Sequence, residues 1–275
     1  MNEKYTTMSF EEYAKSSHKA PYVFDVTNGN KKLVYFGAAH SNRPDDKMFD
    51  QIREKFEKFE PELVFVEGCG SLVKDKKAAS EWVRDFGDDD TIIRKEGENI
   101  FMIKLAVEAG VDFDSPEPDY EREINHLLEK GFGKEEIFAY YMYRHIEQWH
   151  RIPEAPPIAK YLGHTKDEFE EVTDWQDFDY SLEHLNEIGK RIWGESGKFS
   201  NYNNSRTDPT PWQPARGVWT EVNRIAQESS YFRDRYIVAR IEEALNKVDK
   251  LFVVFGASHA YMQEPVIRKM FSSLK

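Results

Sequence analysis

Cysteine is almost absent from this sequence. A single Cys69 in 275 residues excludes an internal disulfide framework and suits a reducing compartment. No run of eighteen apolar residues occurs, and the opening Met1-Asn2-Glu3-Lys4-Tyr5 has no apolar h-region, so no membrane span is expected and a cytoplasmic location is. Positive charge is also in short supply: 38 Lys and Arg face 50 Asp and Glu, for a net charge of −12. Phosphate binding needs a concentrated basic face. Short clusters such as Lys74-Asp75-Lys76-Lys77 read as solvated helix surface, which excludes a nucleic-acid partner. Gly-rich phosphate loops, G-x-G-x-x-G included, are missing as well.

What the sequence does hold is one short pattern, near both ends. Leu33-Val34-Tyr35-Phe36 runs into Gly37-Ala38-Ala39-His40, and Leu251-Phe252-Val253-Val254-Phe255 runs into Gly256-Ala257-Ser258-His259. Fifteen Gly and eight His in a chain of this length make about 0.4 G-x-x-H matches by chance. Two matches, each joined to an apolar strand and followed by a helix-like segment, exceed that expectation. A strand that ends in small residues and then a histidine sets an imidazole at the carboxyl edge of a sheet, where open α/β folds build ligand crevices.

Strand-like runs at residues 22–26, 32–36, 63–67, 111–115 and 251–255 alternate with amphipathic stretches. Phe49, Ile52, Phe56 and Phe59 recur at helical spacing, and Ile103, Leu105, Ala106 and Ala109 more loosely. This alternation predicts an α/β fold, a central mostly parallel sheet built from βαβ units and flanked by helices. At 275 residues the chain is read as one such domain, with a helical and loop insertion over about 119–217. The insertion opens with helices rich in charge and aromatics, including Tyr140, Tyr141, Tyr143 and Trp149. It closes with a Gly/Ser/Asn/Pro-rich stretch over 194–217, too long for an ordinary connection and expected to be a lid or a flexible loop. A last helix carries Val266, Ile267, Met270, Phe271 and Leu274 on its apolar side.

Acidic residues sit at matching strand ends. Glu67 closes Leu63-Val64-Phe65-Val66, and Glu117 lies in Asp114-Ser115-Pro116-Glu117-Pro118 just past the fourth strand. In a parallel sheet His40, Glu67, Glu117 and His259 project from one edge. Imidazoles and carboxylates converging there suit a divalent metal, with His40, Glu67 and His259 as ligands, or a general acid/base set around a water. Arg233 and Asp234 precede the stripe Ile237, Val238, Ile241 and Leu245 on a helix expected over 230–247. An inward Arg233 clamps a carboxylate, stabilises an oxyanion, or pairs with Asp234. Other readings fail on spacing: no histidine follows Ser258 except its neighbour, against the order of an α/β-hydrolase triad. His145 and His150 are five apart rather than the four of a zinc helix. Cys69 reads as small buried filler.

Taken together, these motifs resemble the TraB/TIKI superfamily, with its PrgY- and GumN-like members, and are more distantly similar to erythromycin-esterase-like and ChaN-like domains. The family pattern is a G-x-x-H at the first core strand, a Glu after the next, an Arg-Asp or Arg-Asn opening a late helix, and a second G-x-x-H. It falls here on Gly37 to His40, Glu67, Arg233-Asp234 and Gly256 to His259, with Glu117 matching a second acidic position. The resemblance spans almost the whole chain. It implies an α/β core with histidines and glutamates facing one cleft. TIKI members are regarded as metal-dependent proteases, erythromycin-esterase relatives as hydrolases, and ChaN relatives as haem binders. The expectation is therefore a hydrolase of a peptide or a small ester or amide, with Mn, Zn or Co as the metal, or a metal-free version with a histidine as base. The alternative is a non-enzymatic protein that sequesters haem or a peptide; Tyr140, Tyr141 and Tyr143 offer aromatic surface for that, although core packing is the favoured reading of them. A cytoplasmic chain would not meet the extracellular peptides of anchored relatives. The 14% aromatic content leaves ample material for a homodimer interface.

Overall fold

The computed structural model describes residues 4–70, 72–152, 155–201, 206–210 and 219–273. The chain divides into two compact units, the first formed by Met1–Pro118 and Arg233–Lys275, the second by Asp119–Phe232.

The first unit is α/β. Its sheet has five strands, β1 (Tyr22–Asn28), β2 (Lys31–Ala38), β3 (Leu63–Val66), β4 (Asp112–Asp114) and β5 (Lys250–Gly256), in the order β1-β2-β5-β3-β4. All five expected strands are present, and β2, β5, β3 and β4 run parallel. Edge strand β1 is the exception and pairs with β2 antiparallel, since the two residues between them allow a hairpin and no crossover.

Alternation within the strands sorts side chains onto two buried faces, as expected of a sheet covered on both sides. Val34, Phe36, Val64, Val66, Phe252 and Val254 pack with α2 (Lys47–Phe59), α3 (Lys76–Asp85) and α4 (Asp89–Ala109). Leu33, Tyr35, Phe65, Leu251, Val253 and Phe255 pack with α10 (Ala257–Phe271) and with Ile237, Val238, Ile241 and Leu245 of α9 (Glu221–Leu245). The α9 stripe is the expected one, but the helix begins nine residues before 230, and the unit boundary falls inside it. Leu274, expected on the α10 stripe, lies outside the described residues.

The two G-x-x-H segments differ in local structure. After β2 the chain leaves the sheet as a loop, and α2 starts only at Lys47 behind its N-cap Asp46. After β5 the helix starts at once, with Gly256 as N-cap and His259 in the first turn of α10. The glycines serve different needs. A β-carbon on Gly37 would lie 2.6 Å from the Tyr22 carbonyl oxygen and 2.8 Å from Ala260 Cβ, so Gly37 permits β2 to meet β1 and α10. One on Gly256 would lie 2.9 Å from His40 Nε2 and 3.4 Å from Glu67 Oε2.

The second unit is helical: α5 (Tyr120–Glu129), α6 (Lys134–Arg151), α7 (Ile158–Thr173), α8 (Leu182–Trp193) and the start of α9. Tyr140, Tyr141 and Tyr143 are buried in its core beside Ile124, Leu162 and Ile188. They are packing residues, and the aromatic-surface reading fails for them. Residues 194–201, the first part of the expected lid, form two short 3-10 turns. Tyr143 donates its hydroxyl to the Gly197 carbonyl at 2.6 Å, and Phe199 N–H donates to Asn186 Oδ1 at 3.1 Å, so these turns are anchored. Of the rest of the lid expectation, residues 206–210 are described, with Arg206 donating to the Ser196 carbonyl at 2.7 Å, while 202–205 and 211–217 lie outside the described residues.

Candidate functional site

Parallel strands in register end together, and their ends decide which side chains can meet. Ala38 of β2 pairs with Gly256 of β5, Val66 of β3 with Val254, and Phe65 with Asp114 of β4. His40 follows β2 by two residues, Glu67 follows β3 directly, Glu117 follows β4 by three, and His259 is the third residue of α10. Arg233 and Asp234 reach the same edge from α9. All belong to the first unit.

Glu67 is the centre. Its Oε2 accepts the Gly256 N–H at 2.6 Å, and its Oε1 faces His259 Nε2 at 3.7 Å and Arg233 Nη2 at 3.6 Å. A β-carbon on Gly256 would meet both His40 Nε2, at 2.9 Å, and Glu67 Oε2, at 3.4 Å, so the two atoms border the same space. Burial alone would push the carboxyl up. The charges of His259, His40 and Arg233 and the Gly256 N–H outweigh it and bring Glu67 down to about 2. It is an ionised carboxylate at neutral pH.

Each histidine is gripped at Nδ1 by a buried carboxylate. Asp234 Oδ1 lies 2.6 Å from His259 Nδ1 and also accepts from Gln263 Nε2 at 2.7 Å, while Gln263 Oε1 accepts the Tyr35 hydroxyl at 3.0 Å. His259 and Gln263 are four apart on α10 and share a face, so one Asp234 serves both. Burial would lower His259, but Asp234, by charge and hydrogen bond, and then Glu67 raise it above 6.5. Glu98 of α4 grips His40, with Oε1 2.5 Å from Nδ1. A carboxylate that is ionised can only accept, so contacts of this kind favour the tautomer with its proton on Nδ1. The environments are unequal: the His40 side chain is 40% exposed, that of His259 only 14%.

Arg233 and Asp234 do different work because successive helix positions point about 100° apart. Arg233 donates from Nε to Glu117 Oε1 at 3.0 Å and from Nη2 to the same oxygen, and Gly68 N–H donates to Glu117 Oε2. Arg233 thus forms an internal ion pair, as one expected reading had it, but with Glu117 rather than with Asp234. Cys69 is buried, with its thiol pushed up to about 12 by burial first and then by the nearby carboxylates, so it is no nucleophile at neutral pH.

All five residues singled out from sequence therefore meet at one edge. Glu98 was not foreseen. Its signal was a glycine inside a helical run, Glu96-Gly97-Glu98, with an acid set among Ile93, Ile100 and Phe101.

Two imidazoles and a carboxylate are chemically a divalent-metal donor set, and imidazoles oriented by carboxylates at Nδ1 are common around metals. As placed, these residues do not fit an ion. Glu67 is engaged by Gly256, with Arg233 close by, and among the described residues no group of three or more His, Cys, Asp or Glu is arranged to hold one. No described helix is long and apolar enough to cross a membrane. No family model, curated protein or solved structure matches the chain.

Proposed function

We propose that this protein is a hydrolase of the TraB/TIKI type that adds water to the carbonyl of a peptide or a small ester or amide. One observation carries the reading: two histidines are each held at Nδ1 by a buried carboxylate, His259 with Nε2 3.7 Å from Glu67 Oε1 and His40 with Nε2 bordering the same space above Gly256 as Glu67 Oε2. That is the arrangement a water needs if one imidazole is to take its proton while a carboxylate orients it.

His40, the open member, takes the proton from water at Nε2. Glu67 accepts a hydrogen bond from the same water and aims its oxygen. The carbonyl carbon gains the oxygen, and His259, protonated at Nε2, gives its proton to the departing amine or alkoxide. Asp234 and Glu98 keep the rings in place. Arg233 holds Glu117, and its charge, 3.6 Å from Glu67 Oε1, helps to keep Glu67 ionised. In the same proposal the partner is a peptide or small molecule, the chain acts in the cytoplasm, and homodimerisation is compatible with function.

The test is a panel of p-nitrophenyl esters, anilides and peptides, run with EDTA and separately with Mn, Zn or Co. Turnover of at least one carbonyl class supports the proposal. Turnover that EDTA abolishes and one metal restores would contradict this metal-free reading. A haem-induced Soret band with no turnover would replace the proposal with sequestration.

A further inference from the structure

Helix α4 is interrupted at Gly97, whose φ of 74° and ψ of −158° lie in a region that is essentially glycine's alone. The interruption takes from the Arg94 carbonyl the amide that a continuous helix supplies four residues on. Asn42 fills the gap: its Nδ2 donates to Ile93 O at 3.1 Å and to Arg94 O at 3.4 Å. The Ser41 carbonyl closes in from the other side, 3.3 Å from where a β-carbon on Gly97 would sit. Directly after the break, Glu98 turns onto the same loop. Its Oε1 meets His40 Nδ1 at 2.5 Å and its Oε2 accepts the Ser41 N–H at 3.3 Å. Three consecutive residues, His40, Ser41 and Asn42, are thus fastened to one break in one helix. A carboxylate only 5% exposed is costly unless its oxygens find donors, and the donors it finds here are those of this loop.

We infer that Glu98, delivered by the Gly97 break, is a positioning residue that locks His40 in the Nδ1–H tautomer, leaving Nε2, the nitrogen facing the space above Gly256 that Glu67 Oε2 also borders, as the acceptor. Glutamate suits the task because both of its oxygens accept. Glutamine at the same place has one acceptor and one donor group. The Ser41 amide cannot change its role, so the glutamine oxygen faces Ser41 and its NH2 faces His40. The imidazole then accepts at Nδ1 and carries its proton on Nε2. His40 would become a donor toward the water it should deprotonate.

The purpose of this device rests on the hydrolase reading, but its measurement does not. Protein labelled with 15N-histidine is compared with His40→Gln to assign the His40 signals, and tautomer ratios are taken from ring 15N shifts once the ring is neutral. In the wild type Nδ1–H should predominate. In Glu98→Gln the ratio of Nδ1–H to Nε2–H should fall by at least about tenfold, the order of one charge-assisted hydrogen bond. Gly97→Ala, which displaces Glu98 without changing its chemistry, should shift the ratio in the same direction. A wild-type His40 that carries its proton on Nε2, or holds both tautomers equally, overturns the inference even if neither variant folds. So does an unchanged ratio in folded Glu98→Gln. If the tautomer behaves as expected and no carbonyl is hydrolysed, the positioning device stands and the hydrolase reading falls; turnover with the wrong tautomer gives the reverse.

Discussion

Asp234 holds His259 by Nδ1 at 2.6 Å, and the opposite nitrogen of that ring faces Glu67 at 3.7 Å. The imidazole lies between two carboxylates, and each has a consequence in solution.

His259 is raised above 6.5, against the effect of burial, chiefly by Asp234. A base raised on folding contributes stability that is fully present below pH 6.5 and is lost as pH climbs through its folded value. Urea midpoints should therefore decline as pH rises above about 6.5. Asp234→Asn should flatten that decline, because the largest raising influence is gone. An equal slope in wild type and variant would contradict it.

Glu67 behaves in the opposite sense. Its carboxyl is depressed from 4.5 to about 2 although burial opposes this, so its contribution is present above pH 4.5 and is lost as pH falls toward 2. Glu67→Gln should be less stable than the wild type at neutral pH, and the gap should narrow on acidification through that window. A gap independent of pH would show that Glu67 is not held ionised by its neighbours.

The two motif glycines should fail differently. Gly37→Ala drives a β-carbon into the backbone of β1 and α10 and should cost about 1–3 kcal/mol of stability, the usual range for overpacking. Gly256→Ala places its methyl against the side-chain atoms His40 Nε2 and Glu67 Oε2, so the main loss should be turnover. Thermal melts and rates on both variants check this, and equal stability losses would refute it.

Three of the strand ends were legible because apolar runs of four or five residues closed by Gly or Glu leave few alternatives in a chain with no long apolar stretch. That is why the sequence alone points His40, Glu67, Glu117 and His259 to one edge. Partners were less legible. Asp234 was seen only as a neighbour of Arg233, yet the helix sends the two to different residues, and His259 is 25 positions further on. Glu98 lies 58 positions from His40, and a contact of that separation leaves no periodic trace. The tyrosines of α6 show a related limit, since an aromatic run reads the same whether it faces a ligand or a core.

The most direct measurement is the rate of carbonyl hydrolysis by His40→Ala and Glu67→Gln, beside the wild type, on whichever substrate class the wild type turns over. Circular dichroism confirms that each variant is folded. Removing a positioned general base typically costs about 10²–10⁴-fold. A loss of at least about 100-fold in both folded variants is the expected result. Full activity in either folded variant would contradict a water-activating centre built on Glu67 and its two histidines.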